Sequence, residues 1–280
     1  MKIPRIRTIL LSLIVLFTAI YIFGAISIAS RDNPIAPLEG TPASYETIAI
    51  FGASGTAGDG ILKAALAAPK IKTIHVYTRR ATPRIKEGIA SGKVHMTLHM
   101  DYIDYSAIKD KIAKIDTVFW AIGISSIGVD EETYAKIHTD FPHQFVKTWT
   151  SVNNKPGISF HFISSSDISE DSSAMWIRQK IRAEKTLFEF AEGSNLKVIA
   201  YRPDYIRPTN EEAHIGHKML YGFFAPVGAA VIATEIGQAM IEITDRGNQF
   251  KSGDKISTWE ILSYSNAYAQ RLSARGVHNN

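Results

Sequence analysis

Cysteine is absent from the 280-residue sequence. Its absence excludes a disulfide framework, zinc–thiolate sites and a cysteine nucleophile. The sequence also lacks internal repeats and a Gly/Ser-rich linker in its middle, so we expect one soluble domain rather than two. With 45% hydrophobic and 21% charged residues, it has the composition of an ordinary globular protein, which excludes a disordered or fibrous chain.

Long basic runs are absent as well. The formal net charge is +4, and three of the basic residues belong to the N-terminal segment: Lys2, Arg5 and Arg7. The pair Arg79 and Arg80 is short, and nucleic-acid recognition needs a contiguous basic face, so the sequence predicts no nucleic-acid partner. His138 and His143 lie out of phase on a helix and have no third ligand, so we expect no metal site.

The chain begins with one long apolar segment. Residues 9–29 read ILLSLIVLFTAIYIFGAISIA and contain no charged side chain. About 20 apolar residues, at about 1.5 Å per residue in a helix, cross a hydrocarbon core of about 30 Å, so residues 1–30 are predicted to be a membrane anchor. A cleaved signal sequence usually has only about 7–15 apolar residues, but cleavage after Ala29 is an alternative.

The charges beside this segment predict its orientation. Basic residues precede it, while Arg31 is followed at once by Asp32, so the positive-inside rule places the N-terminus in the cytosol. Residues 31–46, with three prolines, are predicted to form an extended linker, and residues 47–280 the folded domain. The endoplasmic reticulum fits a basic-flanked single-pass anchor, and a mitochondrial or bacterial membrane is an alternative.

A glycine-rich turn follows the first predicted strand of the domain. Residues 47–51 form a short apolar strand, Gly52–Gly58 reads GASGTAG, and residues 61–68 have the apolar spacing of a helix. Glycines at this spacing carry little information alone, but between a strand and a helix they indicate a dinucleotide-binding turn.

Each glycine of the turn has a physical role in such a site. Gly52 permits the tight turn, Gly55 lets the backbone approach a pyrophosphate, and Gly58 lets the helix pack on the strand. Free backbone N–H groups at the start of the helix then meet the negative charge. We expect the polar residues of the turn, Ser54 and Thr56, to contribute to the same site.

The second predicted strand, residues 73–78, ends in Arg79 and Arg80. Sites for NAD usually have Asp or Glu at this strand end, where it binds the ribose 2′-hydroxyl. No acid is present here, since Asp59 lies inside the first helix. A guanidinium can instead bind the 2′-phosphate and stack on adenine, so the predicted cofactor is NADP rather than NAD. These cofactors are more abundant in the cytosol, which conflicts with the orientation that the flanking charges predict.

Four further apolar strands are predicted over residues 94–100, 117–120, 159–163 and 197–201. The first is followed by Asp101, the second by Ala121 and Gly123, and the third by three serines. Ligands of open α/β sheets bind beyond the carboxyl ends of parallel strands, so Asp101, Ala121 and Gly123 are predicted to contact the cofactor. The alternation of strands and helices predicts an α/β fold with a Rossmann-type, doubly wound parallel sheet.

Five short motifs follow one another along the chain. They are GASGTAG at Gly52–Gly58, AIGIS at Ala121–Ser125, FISSS at Phe162–Ser166, KIRAE at Lys180–Glu184 and YRP at Tyr201–Pro203. In order and spacing they resemble the atypical short-chain dehydrogenase/reductases, in particular the Tat-interacting protein TIP30-like oxidoreductases and, more distantly, NmrA-like proteins. The resemblance covers residues 47–243, fades beyond residue 245, and implies a Rossmann-type NAD(P)-dependent oxidoreductase.

The resemblance also implies catalytic residues. In that superfamily a Tyr-x-x-x-Lys pair works with a serine: the tyrosine is the general acid/base, the lysine lowers its pKa and binds the nicotinamide ribose, and the serine orients the carbonyl. On this sequence the lysine corresponds to Lys180, the serine to Ser165 or Ser166, and the tyrosine position to Trp176. Indole donates a hydrogen bond but cannot act as a base. The candidates for a replacement are His161, Tyr201 and Tyr205.

Two functions are therefore open. One is a membrane-anchored NADP-dependent oxidoreductase acting on a hydrophobic small molecule. The other is a catalytically silent, cofactor-binding scaffold or assembly factor. The apolar run 219–232 can line a lipophilic pocket, rest on the membrane or form ordinary core, and Glu184 is expected to form a surface ion pair with Lys180, one helical turn away.

Overall fold

The computed structural model describes residues 6–31, 35–38, 40–166 and 168–277. The α-helices in these ranges are α1 Ile6–Ala29, α2 Thr56–Ala67, α3 Pro83–Ala90, α4 Lys109–Ile112, α5 Glu131–Ala135, α6 Phe141–Val152, α7 Met175–Ala191, α8 Ile215–Phe224, α9 Ala233–Asp245 and α10 Thr258–Val277. The strands are β1 Thr47–Phe51, β2 Thr73–Thr78, β3 Val94–Leu98, β4 Thr117–Trp120, β5 Ser159–Ile163, β6 Lys197–Arg202, β7 Tyr205–Arg207, β8 Ala230–Ile232 and β9 Lys255–Ser257. A π-helical turn, Lys136–Asp140, joins α5 to α6.

Seven strands form one parallel sheet in the order β3-β2-β1-β4-β5-β6-β9, and β7 pairs with β8 beside it. The predicted Rossmann-type, doubly wound sheet is confirmed. Strands β1, β2, β4 and β5 have the bounds that the sequence predicts. The chain winds outward from β1 in one direction and from β4 in the other, which opens a crevice at the carboxyl ends of these two neighbours.

Helices cover both faces of the sheet, so its central strands are apolar on both sides. Successive side chains point to opposite faces. Ile48 and Ile50 pack in a core shared with α2 and α9, whereas Phe51 faces the other side. Its ring centroid lies 4.8 Å from that of Tyr77 and 4.7 Å from that of Trp120. Burying each such ring stabilises the fold by about 1.5–3 kcal/mol and fixes the end of β1 from which the glycine turn departs.

The N-terminal apolar segment forms α1, and Arg7–Ala29 is long and apolar enough to cross a membrane by length and composition. None of its apolar window is buried against the rest of the protein. Tyr45, inside the predicted linker, is 4% exposed and packs in the core, and the N–H of Ala43 donates to the carbonyl of Asp245 at 3.1 Å. Part of the segment before β1 therefore packs on the domain. Lys2, Arg5 and residues 32–34 and 39 lie outside the described residues.

Candidate functional site

A cavity of about 510 Å³ lies beyond the carboxyl ends of β1, β2 and β4. This is the crevice where doubly wound sheets bind their ligands. The cavity is lined by Gly52, Ser54, Gly55, Thr78, Arg79, Arg80, Tyr102, Ala121, Ile122 and Gly123. The fold thus brings together, from three strand ends, seven residues that the sequence predicts for the cofactor: Gly52, Ser54, Gly55, Arg79, Arg80, Ala121 and Gly123.

The glycine turn is packed too closely for side chains at two positions. Gly52 has φ +82°, and a Cβ there would lie 2.6 Å from the carbonyl of Ala121. A Cβ on Gly58 would lie 2.0 Å from the carbonyl oxygen of Gly52. Both distances are far below van der Waals contact, so the turn can pass this close to β4 and to α2 only with glycine at both positions.

The start of α2 presents donors for an anion. The helix begins at Thr56 and its N-cap, Gly55, provides no side-chain cap. The first backbone N–H groups of a helix have no partner within it, and they carry the positive end of the helix dipole. Because Gly55 leaves these groups uncovered, a pyrophosphate can accept hydrogen bonds from them.

Two arginines stand at the end of β2. The side chains of Arg79 and Arg80 are exposed, and the Arg80 guanidinium lies 3.4 Å from the Ser54 carbonyl oxygen, to which it donates. Burial raises the pKa of Tyr102, an effect that the nearby Arg79 charge opposes. Positive charge therefore lies beside the glycine turn, next to a ring that sequence analysis missed.

The carboxylate of Asp101 has a hydrogen-bond partner within its own turn. Its carboxylate accepts a hydrogen bond from the N–H of Ile103 at 2.9 Å, which caps the turn after β3. Tyr102, and not Asp101, lines the cavity.

A second group of residues lies at the end of β5. The Lys180 ammonium donates to the carbonyl oxygen of Ile163 at 3.3 Å, so α7 holds this lysine next to the serines that follow the strand. Ser166 donates to the carboxylate of Asp204. Ser165 is half-buried and has no hydrogen-bond partner within the described ranges. Of the two serines considered, Ser166 is therefore the one already engaged in a hydrogen bond within the described ranges.

Trp176 lies in the first turn of α7, half-buried, one helical turn before Lys180. The structure thus keeps the spacing of a Tyr-x-x-x-Lys pair with indole in the tyrosine position. Two of the candidate replacements are fully buried in the core: His161 Nδ1 lies 2.9 Å from the Tyr201 hydroxyl. The third, Tyr205, donates to the carbonyl oxygen of His217 at 3.5 Å. None of the three lines the cavity beside the glycine turn.

The burial of Lys180 makes its ionisation sensitive to pH. Burial lowers the pKa of Lys180 from 10.5 to about 8, against the opposing effect of Glu184. Between these two pH values the unfolded chain binds more protons than the folded chain, so the free energy of unfolding should increase as the pH rises from about 8 to about 10.5. The increase should be on the order of 3 kcal/mol, and Lys180→Met should lack it. Denaturant unfolding of both proteins across this range checks the prediction, and parallel pH profiles would contradict it.

Glu184 does not form the expected surface pair with Lys180. It is 3% exposed, and its carboxylate accepts two hydrogen bonds from Arg202 of β6, at 2.9 and 2.5 Å. The prediction was wrong because the face of α7 that carries Glu184 packs on the sheet, where the arginine of the YRP motif reaches it. This ion pair fixes α7, and with it Lys180, against the end of β6.

Breaking that ion pair should destabilise the fold. In Glu184→Gln the Arg202 guanidinium keeps its charge but loses its counter-ion, at a cost of about 2 kcal/mol because part of the guanidinium remains solvated. Glu189→Gln, on the same helix, is the matched control, since the Lys185–Glu189 pair is exposed at 3.8 Å and should contribute less than about 0.5 kcal/mol. Thermal unfolding of the two variants measures the difference; equal melting temperatures would contradict the prediction.

His138 packs against Gly123, one of the residues that line the cavity. A Cβ on Gly123 would lie 2.8 Å from His138 Cε1, and His138 Nε2 lies 3.2 Å from the backbone N and O of Ile124. Burial and the nearby Lys180 lower the pKa of His138 to about 3, so the imidazole is neutral. The π-helical turn directs this residue inward, and Thr139 beside it donates to the carbonyl of Gln179 at 3.2 Å. The sequence does not indicate this role, because the spacing of apolar residues does not show where a π-helical turn occurs.

Within the described ranges, no group of three or more His, Asp or Glu side chains could hold a metal ion. The site consists instead of backbone donors, guanidinium groups, hydroxyls and one buried ammonium.

No protein-family model matches the chain, and no curated protein matches its sequence. Solved structures do match. They include a 3-oxoacyl-[acyl-carrier protein] reductase from Brucella melitensis in complex with NAD, with 17% identity and a TM-score of 0.60 over 79% of this chain and 98% of the other. An oxidoreductase of the short-chain dehydrogenase/reductase family from Burkholderia thailandensis matches with 12% identity and a TM-score of 0.61, over 83% and 98%. BdcA in complex with NADPH matches with 15% identity and a TM-score of 0.58, over 78% and 96%.

These similarities show that the chain has the fold of the short-chain dehydrogenases/reductases, as the five motifs predict. The narrower TIP30-like or NmrA-like group stays a prediction. At 12–17% identity the matches concern the fold, and the chemistry of this chain rests on its own residues.

Proposed function

We propose that the protein is a membrane-anchored, NADP-dependent oxidoreductase that acts on a lipophilic small molecule. The observation that supports this most is the cavity at the ends of β1, β2 and β4, where an uncapped glycine turn lies beside Arg79 and Arg80. Solved structures with the same fold include complexes with NAD and with NADPH.

Purified full-length protein should therefore oxidise NADPH when a lipophilic aldehyde or ketone is added. Binding of the cofactor without turnover of any compound in a broad panel would count against the proposal.

Each group of the site has a task in this chemistry. A bound nicotinamide dinucleotide supplies the hydride. The amides at the start of α2 would hold the pyrophosphate, and the Lys180 ammonium at the end of β5 would hold the nicotinamide ribose. The Ser165 hydroxyl, which has no partner within the described ranges, donates to a carbonyl oxygen and orients it. The half-buried Trp176 cannot transfer a proton, so the carbonyl oxygen, once its carbon has taken the hydride, would take its proton from water.

The preference for NADP rests on the two exposed arginines and on the absence of an acid after β2. A guanidinium pairs with the 2′-phosphate that NADP carries and NAD lacks. Arg79→Ala and Arg80→Ala should each weaken NADPH binding about tenfold, as expected for one lost charge-assisted contact of about 1.4 kcal/mol, and leave NADH affinity nearly unchanged. Equal losses for the two cofactors would contradict the assignment.

Anchoring rests on α1, which is long and apolar enough to cross a bilayer. We propose that it remains attached and that the Rossmann domain is held at one membrane surface. Resistance of the protein to extraction by alkaline carbonate tests the anchor. Protease protection of intact membranes then gives the side on which the domain lies.

A catalytically silent scaffold is the second candidate, and Trp176 is the observation that favours it. Such a protein would bind NADPH through the same glycine turn and Arg79, yet would show no substrate-dependent oxidation. Measurable turnover of the wild-type protein that survives Trp176→Phe would exclude the silent function. Absence of turnover together with tight NADPH binding would favour it.

A further inference from the structure

Helix α8 presents apolar side chains to the outside of the protein. None of its residues is buried. Ile215, Met219 and Phe223 follow one another at intervals of four residues, so they share one face of the helix. They are 74%, 70% and 45% exposed, respectively. Apolar side chains grouped in this way on a surface mark an interaction site.

This face is continuous with the surface of α1. The Tyr21 hydroxyl donates to the carbonyl oxygen of Phe223 at 2.8 Å, and the two rings stack with centroids 5.4 Å apart. The ring of Phe17 lies 6.5 Å from that of Phe223. A Cβ on Gly24 would lie 3.5 Å from Cγ1 of Val227, which stands in the turn that follows α8. Helix α8 therefore lies against the carboxyl-terminal half of the apolar helix.

We propose that the apolar face of α8 lies in the lipid bilayer, as a second membrane contact of the domain beside α1. The proposal rests on the membrane anchoring proposed above. Tyr21 lies eight positions before Ala29, the end of α1, or about 12 Å along the helix axis. Helices that lie in the membrane interface bury their apolar face about 5–10 Å deep. If α1 crosses the membrane with Ala29 at its surface, its contact with Phe223 places that end of α8 about 12 Å deep, close to this range.

The apolar surface that α8 shares with α1 fits a lipid bilayer better than a second copy of the chain. The outer side of α1 is apolar along its length, with Leu13 57% and Phe17 58% exposed, and lipid covers both helices without a break. Lys218 is exposed at the edge of the apolar face of α8. In the interface a lysine there reaches the phosphate headgroups.

This placement directs the substrate side of the domain towards the membrane. Tyr205 of β7 packs on Phe224 of α8, with ring centroids 5.9 Å apart. Its neighbour Asp204 accepts the hydrogen bond of Ser166, next to Ser165. A lipophilic substrate dissolved in the bilayer would thus meet the domain on the side where Ser165 lies.

The absence of cysteine allows a direct test on the full-length protein. Three variants are each labelled with a nitroxide and reconstituted in phosphatidylcholine–phosphatidylglycerol vesicles: Met219→Cys on α8, Met100→Cys just after the edge strand β3 and Leu13→Cys on α1. Met219 and Met100 are matched, being 70% and 71% exposed. Collision rates with oxygen, which concentrates in lipid, are compared with those of a water-soluble nickel chelate.

We expect the oxygen-to-nickel ratio at residue 219 to approach that at residue 13 and to exceed that at residue 100 on the order of tenfold, as for a side chain below the headgroups. A lipid signal at residue 13 with an aqueous signal at 219 would overturn the proposal and leave the anchor standing. An aqueous signal at residue 13 would overturn the anchor itself. Shielding of residue 219 from both reagents would show a protein partner or a second copy on this face, and would also overturn the proposal.

Discussion

Replacing Trp176 by tyrosine should raise the rate of NADPH-dependent carbonyl reduction by about 10²–10⁴-fold, the usual contribution of a positioned general acid. The side chain at this position is one turn before Lys180 on α7, and Lys180 is held at the end of β5 by the carbonyl of Ile163. A tyrosine hydroxyl there would lie beside the ammonium that lowers its pKa. The measurement is NADPH oxidation by the full-length variant over a panel of lipophilic aldehydes and ketones.

Trp176→Phe is the matched control, because it removes the indole and supplies an aromatic ring without a hydroxyl. Its rate should stay at the level of the wild-type protein. An equal rise in both variants would show that the indole only blocked space. No rise in the tyrosine variant, with NADPH bound, would show that Ser165 and Lys180 are not arranged for this chemistry.

Gly55→Ala should weaken the binding of both NADPH and NADH about 100-fold, or about 2.7 kcal/mol, without unfolding the protein. The residue has φ −100° and ψ 169°, which alanine adopts freely, and the added Cβ would lie 3.5 Å from the carbonyl oxygen of Gly52. The protein itself therefore accommodates the methyl group. A pyrophosphate on the helix start does not, because the backbone must approach it closely. Calorimetric titration with each cofactor measures the loss.

Gly58→Ala separates this effect from damage to the fold. Its Cβ would lie 2.0 Å from the carbonyl oxygen of Gly52, so this variant should lose several degrees of melting temperature as well as cofactor affinity. If Gly55→Ala binds the cofactors as the wild type does, the pyrophosphate does not lie on this turn. A lowered melting temperature for Gly55→Ala would mean that its effect on binding is indirect.

The sheet could be predicted from the sequence because its strands are short apolar runs with unambiguous ends. Residues 48–51 and 117–120 are buried, and the shortness of such an apolar run, together with the glycine-rich or polar turns beside it, favours a strand over a buried helix. The last parallel strand, β9, was not predicted. Lys255–Ser257 contains only three residues and a single buried side chain, Ile256. Its place beside β6 is decided by tertiary packing, which no local pattern encodes.

The cofactor side of the site followed from the sequence for the same reason. Arg79 and Ala121 stand directly after strands, and parallel strands bring their carboxyl ends to one edge. The roles of Glu184 and His138 depend instead on contacts between distant segments. Glu184 meets Arg202 across the face of α7, and a π turn rotates His138 towards Gly123. Neither contact leaves a signature in local spacing.

The most direct test of the account is calorimetric titration of the full-length protein with NADPH and, separately, with NADH. A glycine turn with free amides beside Arg79 and Arg80 predicts saturable binding of one cofactor per chain, tighter for NADPH than for NADH. Folded protein that binds neither cofactor at millimolar concentration would contradict the central claim that this turn holds a nicotinamide dinucleotide.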